Sequence, residues 1–194
     1  MILKIRAVGE PVLRARAKPM QSEEILLPST RELIAAMRET LRDAPGVGLA
    51  APQIGLPLQL AVVEDREENM KDLTREVLTE RERKPVPFHV IINPVLTLES
   101  VAEVEFFEGC LSLPGLMALV PRARKVKVEC LDEHGQPKVI RGSGWYARIL
   151  QHEIDHLLGT LYVDRMRSVS LCTLENFSRH WKGKPISEVK RLLP

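Results

Sequence analysis

The sequence predicts an α+β fold in which antiparallel and mixed β-sheets pack around a central buried helix carrying an H-E-x-x-H motif. Residues 145–158 hold Trp145, Ile149, Leu150, Ile154, Leu157 and Leu158, an apolar face wide enough to bury a helix, and Gly159 is placed to stop it. Several runs of period-two alternation, bounded by turn residues, read as strands. A second, amphipathic helix at 30–44 reads as packed on the outside of them.

Taken in order, residues 1–28 read as irregular with one short strand, because Pro11, Pro19 and Pro28 interrupt any helix. For the helix at 30–44, Ser29 is placed to cap it and Glu32 to close a capping box. Leu33, Ile34, Met37 and Leu41 form its apolar stripe, and Pro45-Gly46 end it. Residues 46–55, Gly-Val-Gly-Leu-Ala-Ala-Pro-Gln-Ile-Gly, lack the spacing of a phosphate-binding glycine loop. They read either as a tight turn packed on a core or as backbone lying close to a ligand, with Gln53 donating from its amide. Residues 58–63 read as a buried strand. Residues 64–84 hold 14 Asp, Glu, Lys or Arg in 21 positions with signs interspersed, which reads as a solvated loop or surface helix. Residues 89–93 and 95–98 read as strands split by Pro94, and 102–107 as another that leads into Glu108-Gly109-Cys110-Leu111-Ser112. Along 124–131, Val126, Val128 and Cys130 share one face, and a turn at Asp132-Glu133-His134-Gly135 returns a partner strand to about Arg141. Residues 161–163 read as a last strand. From Ser168 the pattern is weak: Pro185 interrupts it and the short helix from Ser187 is marginal.

Apolar residues make up 44% and charged residues 28%, with a net charge of +2 from 28 Lys+Arg against 26 Asp+Glu. That balance leaves no basic footprint, so no direct DNA binding is expected. No apolar run approaches the roughly 20 residues of a membrane span, and the first residues form no secretory signal, so no membrane partner is expected. Three widely spaced cysteines make no disulfide framework, which fits a reducing compartment and leaves a cysteine free to ligate a metal. A single catalytic domain over 1–194 is expected, with 167–194 as a variable C-terminal tail.

The chemistry centres on Gln151-His152-Glu153-Ile154-Asp155-His156. Two imidazoles four residues apart lie on one helix face, about a turn from each other, within reach of one ion. The adjacent glutamate is placed to handle a proton at that ion's open position, the arrangement of zinc hydrolases. The alternative is a pair of satisfied core histidines. A three-ligand site needs one further donor, and on spacing alone Cys110, a carboxylate or another histidine would serve.

Three separate segments, in order, resemble the peptide deformylase family: Gly46-Val47-Gly48-Leu49-Ala50-Ala51-Pro52-Gln53, Glu108-Gly109-Cys110-Leu111-Ser112 and Gln151-His152-Glu153-Ile154-Asp155-His156-Leu157. The likeness runs from about Val8 to Met166. It implies that Cys110, His152 and His156 hold one divalent metal ion, Fe²⁺ in the cell, with Zn²⁺, Ni²⁺ or Co²⁺ accepted in its place. It implies that Glu153 is the general acid and base, and that Gln53 and the backbone N–H of Leu111 form an oxyanion hole. Gly48 and Gly109 would offer backbone hydrogen bonds to a peptide, and Val47, Phe106, Trp145 and Ile149 would lie near the pocket for its first side chain. The implied partner is a nascent formyl-Met polypeptide, deformylated with release of formate. Glu108 is expected to orient a ligand histidine, and Asp155 to pair with Arg122.

Common bacterial members of that family end in a long basic helix that docks on the ribosome. This tail, interrupted by Pro185, does not resemble it, although Arg179, Lys182, Lys184, Lys190 and Arg191 keep it net basic and leave transient ribosome contact open. The charged stretch before His89 and the Gly142-Ser143-Gly144-Trp145 lead-in are similar to the organellar-type branch. Residue 1 lies too close to the matching region for a transit peptide, so a bacterial cytoplasmic enzyme is expected first and an organellar one second. Two rivals remain. An H-E-x-x-H zinc metallopeptidase would take a downstream ligand such as Glu175 or His180 and leave Cys110 unexplained. A structural zinc site would be closed by four ligands.

Overall fold

The structure, a computed structural model, describes residues 1–101 and 103–193. Its helices are α1 (Ser22–Ile25), α2 (Pro28–Asp43), α3 (Arg75–Glu80), α4 (Gly144–Leu157), α5 (Leu174–His180) and α6 (Ile186–Leu192). Its strands are β1 (Gly48–Ala50), β2 (Leu60–Asp65), β3 (Val86–Leu98), β4 (Glu103–Cys110), β5 (Leu113–Ala123), β6 (Lys125–Leu131), β7 (Pro137–Ser143) and β8 (Cys172–Thr173). They form a five-stranded sheet in the order β1-β2-β3-β6-β7 and a three-stranded sheet in the order β4-β5-β8. Every strand pairing is antiparallel. Among the described residues no helix is long and apolar enough to cross a membrane.

Helix α4 lies between the sheets, as its wide apolar face requires. Leu150, Ile154, Ala147 and Ile149 pack into a core with Val63, Ile91, Val126, Val128 and Ile140 of the larger sheet. Arg148, Gln151, His152 and Asp155 reach the smaller sheet instead. Gln151 accepts from the Ala123 N–H and donates to the Ala123 carbonyl, a strand-like pair that ties the helix to the end of β5. Helix α2 buries Ile34, Met37 and Leu41 against Leu49, Leu60 and Val90 on the outer face of the same sheet.

Several expectations are corrected. Helix α2 begins at Pro28 rather than Thr30, with Leu27 as N-cap and no side-chain cap. Proline at the first helical position needs no partner for a missing N–H, so the box expected from Ser29 and Glu32 does not form. Residues 86–98 form one strand, not two. Pro94 sits in a bulge between Ile92 and Val95, where Asn93 takes φ of 50° and its side chain pairs with both backbone groups of Met20 at 2.8 Å. Residues 161–163 form no strand, since Tyr162–Asp164 close into a 3-10 turn. Strand β5 was not foreseen. The charged stretch is not wholly solvated either. Glu64 and Asp65 end the buried strand β2, with Asp65 held bidentately by Arg83 and Glu64 by Arg42. The tail is also packed. Val189 is buried, and on Phe107 of β4 Phe177 packs tilted and Trp181 stacked, with ring centroids at 5.0 and 6.4 Å. Ala102, with which one expected strand begins, and Pro194, the last residue of the expected domain, lie outside the described residues.

The first residues are a strap. The N–H of Arg6 donates to the Gln53 carbonyl, that of Val8 to Ser112, and that of Ala17 to Leu157. One short arm is thereby bonded to each of the three motif segments.

Candidate active site

Strand β4 delivers Cys110 at its C-terminal end, and α4 delivers His152 and His156 one turn apart. The thiol sulfur and one ring nitrogen from each histidine lie within 4.8 Å of one another, and among the described residues this is the group that a metal ion would suit. Cys110 Sγ is 3.3 Å from His156 Nε2. His152 turns Nδ1 to Glu108 Oε2 at 2.9 Å, which leaves its Nε2 for the cluster. Burial first, then the charges of His152 and Arg122, presses His156 well below its ordinary value, whereas at His152 burial is outweighed by the hydrogen bonds to Cys110 and Glu108, which hold it well above its own. Glu175 and His180, the ligands a metallopeptidase would need, lie exposed on α5 outside this group.

Glu108 is a buried hub. Besides His152 it receives Arg122 Nε and Nη2 at 2.9 and 3.0 Å and Arg148 Nη1 at 2.6 Å. Burial pushes its carboxyl up, but the charge of Arg122 and the hydrogen bonds from His152 and Arg122 outweigh that and hold it well below the usual carboxylate range. Asp155 takes Arg122 Nη1, as expected, and Arg165 bidentately at 2.7 and 2.8 Å.

Glu153, equally buried, differs in its partners. It is 3% exposed and its Oε2 has no hydrogen-bond partner. Burial, with Glu108 adding to it and His152 and Arg122 opposing, pushes its carboxyl up to about 7. Strand β1 runs against it so closely that a Cβ on Gly48 would stand 2.2 Å from Glu153 Oε1. Only glycine fits there.

Gln53 sits in a 3-10 turn, Ala51–Ile54, that follows β1 directly. Its Oε1 accepts the Ala50 N–H at 2.9 Å, so the amide nitrogen faces the site, 3.6 Å from Cys110 Sγ and 3.3 Å from Ser112 Oγ. Leu111 follows Cys110 in the turn to β5. Gly48 and Gly109 lie on β1 and β4, each at one edge of its sheet. Phe106 and Trp145 meet edge to face with centroids at 6.3 Å, and Val47 and Ile149 join the core that Trp145 packs against.

Cys110, His152 and His156 are thus brought together with Gln53 beside them, while Phe106 and Trp145 meet each other and Val47 and Ile149 join the core at Trp145. Sequence reasoning missed Arg148, Ser112 and Tyr162. Tyr162 stacks on His152 at 6.4 Å between centroids. Arg148 carried a weak signal, being a charge four residues before His152 on the same helix face. Ser112 and Tyr162 carried none, since their placement depends on how β5 and the turn after α4 fold back.

A family model described as polypeptide deformylase matches residues 2–171. The chain is 45% identical over 168 residues to peptide deformylase 1A, chloroplastic, of Solanum lycopersicum; the match covers 87% of this chain and 61% of that protein. It is 44% identical over 180 residues to peptide deformylase 3 of Streptomyces avermitilis, covering 92% of this chain and 78% of that one. The crystal structure of peptide deformylase from Thermus thermophilus superposes with a TM-score of 0.71 at 42% identity, covering 86% of each chain. The chain belongs to the polypeptide deformylase family, metal-dependent hydrolases that remove the N-formyl group from nascent proteins.

Proposed function

We propose that this chain removes formyl from the N-terminal formyl-methionine of nascent polypeptides at a site built from Cys110, His152, His156, Glu153 and Gln53. The observation that carries the reading is the convergence of the thiol and two imidazoles within 4.8 Å beside a buried carboxyl that lacks a partner. The donor set suits a divalent ion: a soft thiolate and two imidazoles, one of them locked by Glu108 with its free nitrogen inward. Fe²⁺ is the ion proposed in the cell, with Zn²⁺, Ni²⁺ or Co²⁺ able to replace it. When bound it supplies Lewis acidity and an activated water at neutral pH.

The chain's own groups do the rest. Glu153 takes a proton from the attacking water and returns one to the departing amine, work for which a carboxyl raised toward neutrality is suited. Gln53 Nε2 and the Leu111 N–H meet the developing oxyanion, and the bond from Ala50 holds the Gln53 amide in the donating orientation. The edges of β1 and β4 at Gly48 and Gly109 take the peptide backbone as an added strand. Val47, Phe106, Trp145 and Ile149 take the methionine side chain.

The chain reads as a single catalytic domain over 1–194, supported by the packing of Phe177, Trp181 and Val189 onto β4 and β5. A bacterial cytoplasm is the first choice of location and an organelle the second, in line with one bacterial and one chloroplastic relative. Transient ribosome contact would fall to Lys182 and Arg191, because Arg179, Lys184 and Lys190 are engaged by Glu175, Glu188 and Glu105.

The test is formate release from a formyl-Met tripeptide under anaerobic conditions with Fe²⁺- or Ni²⁺-loaded protein. Release is expected, and Glu153→Ala should slow it by at least about 100-fold. No release from wild-type protein with one equivalent of metal bound would overturn the reading. Cys110→Ala should lose metal; if it kept one tightly bound ion, the metallopeptidase reading would take over.

A further inference from the structure

The charged stretch between β2 and β3 finds a use at its C-terminal end. Arg81 lies with its guanidinium carbon 4.8 Å from the Trp145 ring centroid and 5.6 Å from that of Phe106. Arg83 covers the same indole at 5.1 Å while Asp65, fully buried, grips it by two hydrogen bonds. The backbone joins in. The Trp145 N–H, one of the orphan donors in the first turn of α4, donates to the Arg81 carbonyl at 2.8 Å. Gly144, at φ 56°, is pressed so hard on this segment that a Cβ would lie 2.6 Å from the Arg81 carbonyl oxygen and 2.4 Å from Glu82 Cβ. The indole is thus held by its own backbone and by three cations near its ring, Arg81 and Arg83 closest and Arg148, already engaged by Glu108, at 5.9 Å.

Arg81 is the unusual member. Its Nε is buried without a partner, while Glu80 bonds the Ile186 N–H and Glu82 bonds Arg124. Burial, with Arg83 adding to it, lowers its guanidinium to about 10. A half-buried cation left to lie on aromatic faces interacts mainly with those faces.

We infer that Arg81 is a positioning residue for catalysis: with Arg83 it clamps the Trp145 ring and so sets the shape of the pocket for the substrate's first side chain. This rests on the deformylase reading for its substrate, but not for the clamp itself. The segment is then a pocket wall rather than a solvated decoration.

The test uses full-length, metal-loaded protein in a Trp181→Phe background, which leaves Trp145 as the only tryptophan. Arg81→Met keeps bulk and removes charge and planarity. Its Trp145 emission should shift to the red, and its KM for a formyl-Met tripeptide should rise about 5-fold while kcat moves less than about 2-fold. The preference in kcat/KM for formyl-Met over formyl-Phe peptides should shrink, and Arg81→Lys should recover part of both effects. Unchanged emission and unchanged preference in folded, metal-loaded Arg81→Met would overturn the inference. If Arg81→Met fails to fold, Arg81→Lys carries the same readouts, since it keeps the charge and loses the planar stack. Should wild-type protein release no formate, the proposed function falls, and the emission shift still decides the clamp.

Discussion

Glu108 accepts hydrogen bonds from three side chains at once, and its removal should be felt in two ways. His152 would lose the partner that fixes its ring, so Glu108→Ala should weaken metal binding by about 10- to 100-fold in a chelator competition. Arg122 would keep Asp155, but Arg148 would be left buried among carbonyls, so the variant should also lose on the order of 3 kcal/mol of stability by denaturant melting. Full metal occupancy in Glu108→Ala would refute the orienting role. Gly48 gives a sharper test of placement. An alanine methyl there must displace Glu153 or β1, and a misplacement of that size should lower kcat/KM about 100-fold with metal content retained. At this scale the sequence was most informative about His152, Glu153 and His156, because His and Glu at that spacing have few other uses, whereas Cys110 was singled out only by the family resemblance. Arg81 was opaque, and Arg148 nearly so, for the opposite reason: an arginine has many uses on a surface, and only burial against Glu108 or Trp145 picks one.

Elements were read less evenly than residues. Helix α4 was legible throughout, since burial on every side demands a broad apolar face. Strand β5 was not. Pro114, Gly115 and Pro121 break its alternation, yet Pro121 is harmless because β8 pairs with β5 only at Leu116 and Met117 and leaves that edge uncovered. Pro94 misled in the same way, its missing donor lying in a bulge. The tail was hidden because α5 and α6 are too short to be stable alone and take their stability from Phe107 and Leu119. Val189→Ala should therefore cost about 2 kcal/mol in a chemical melt. A loss below a few tenths would mean that α6 frays from the domain.

For the whole molecule, acid and base act through different carboxylates. The folded pKa of Glu108 lies below its unfolded value, as does that of Glu64, bonded by Arg42. Their contribution is present above the ordinary carboxylate range, about 4.3, and is lost as pH falls through the folded values. The melting temperature should thus decline on acidification below about pH 4, and less steeply in Glu108→Gln. Glu153 works in reverse in the metal-free protein. With a folded pKa of about 7, it removes stability as pH rises from the ordinary carboxylate value to neutrality. Metal-free Glu153→Gln should accordingly melt above wild type at pH 8, and equal melting would show that Glu153 is not desolvated. The strap of residues 6–17 adds a matter of timing. Its N–H groups bond to the carbonyls of Gln53, Ser112 and Leu157, each made well after the strap itself. Contacts so distant along the chain make for slow, late closure. An enzyme proposed to process nascent chains therefore brings its own three motif segments together only after Leu157 has been made.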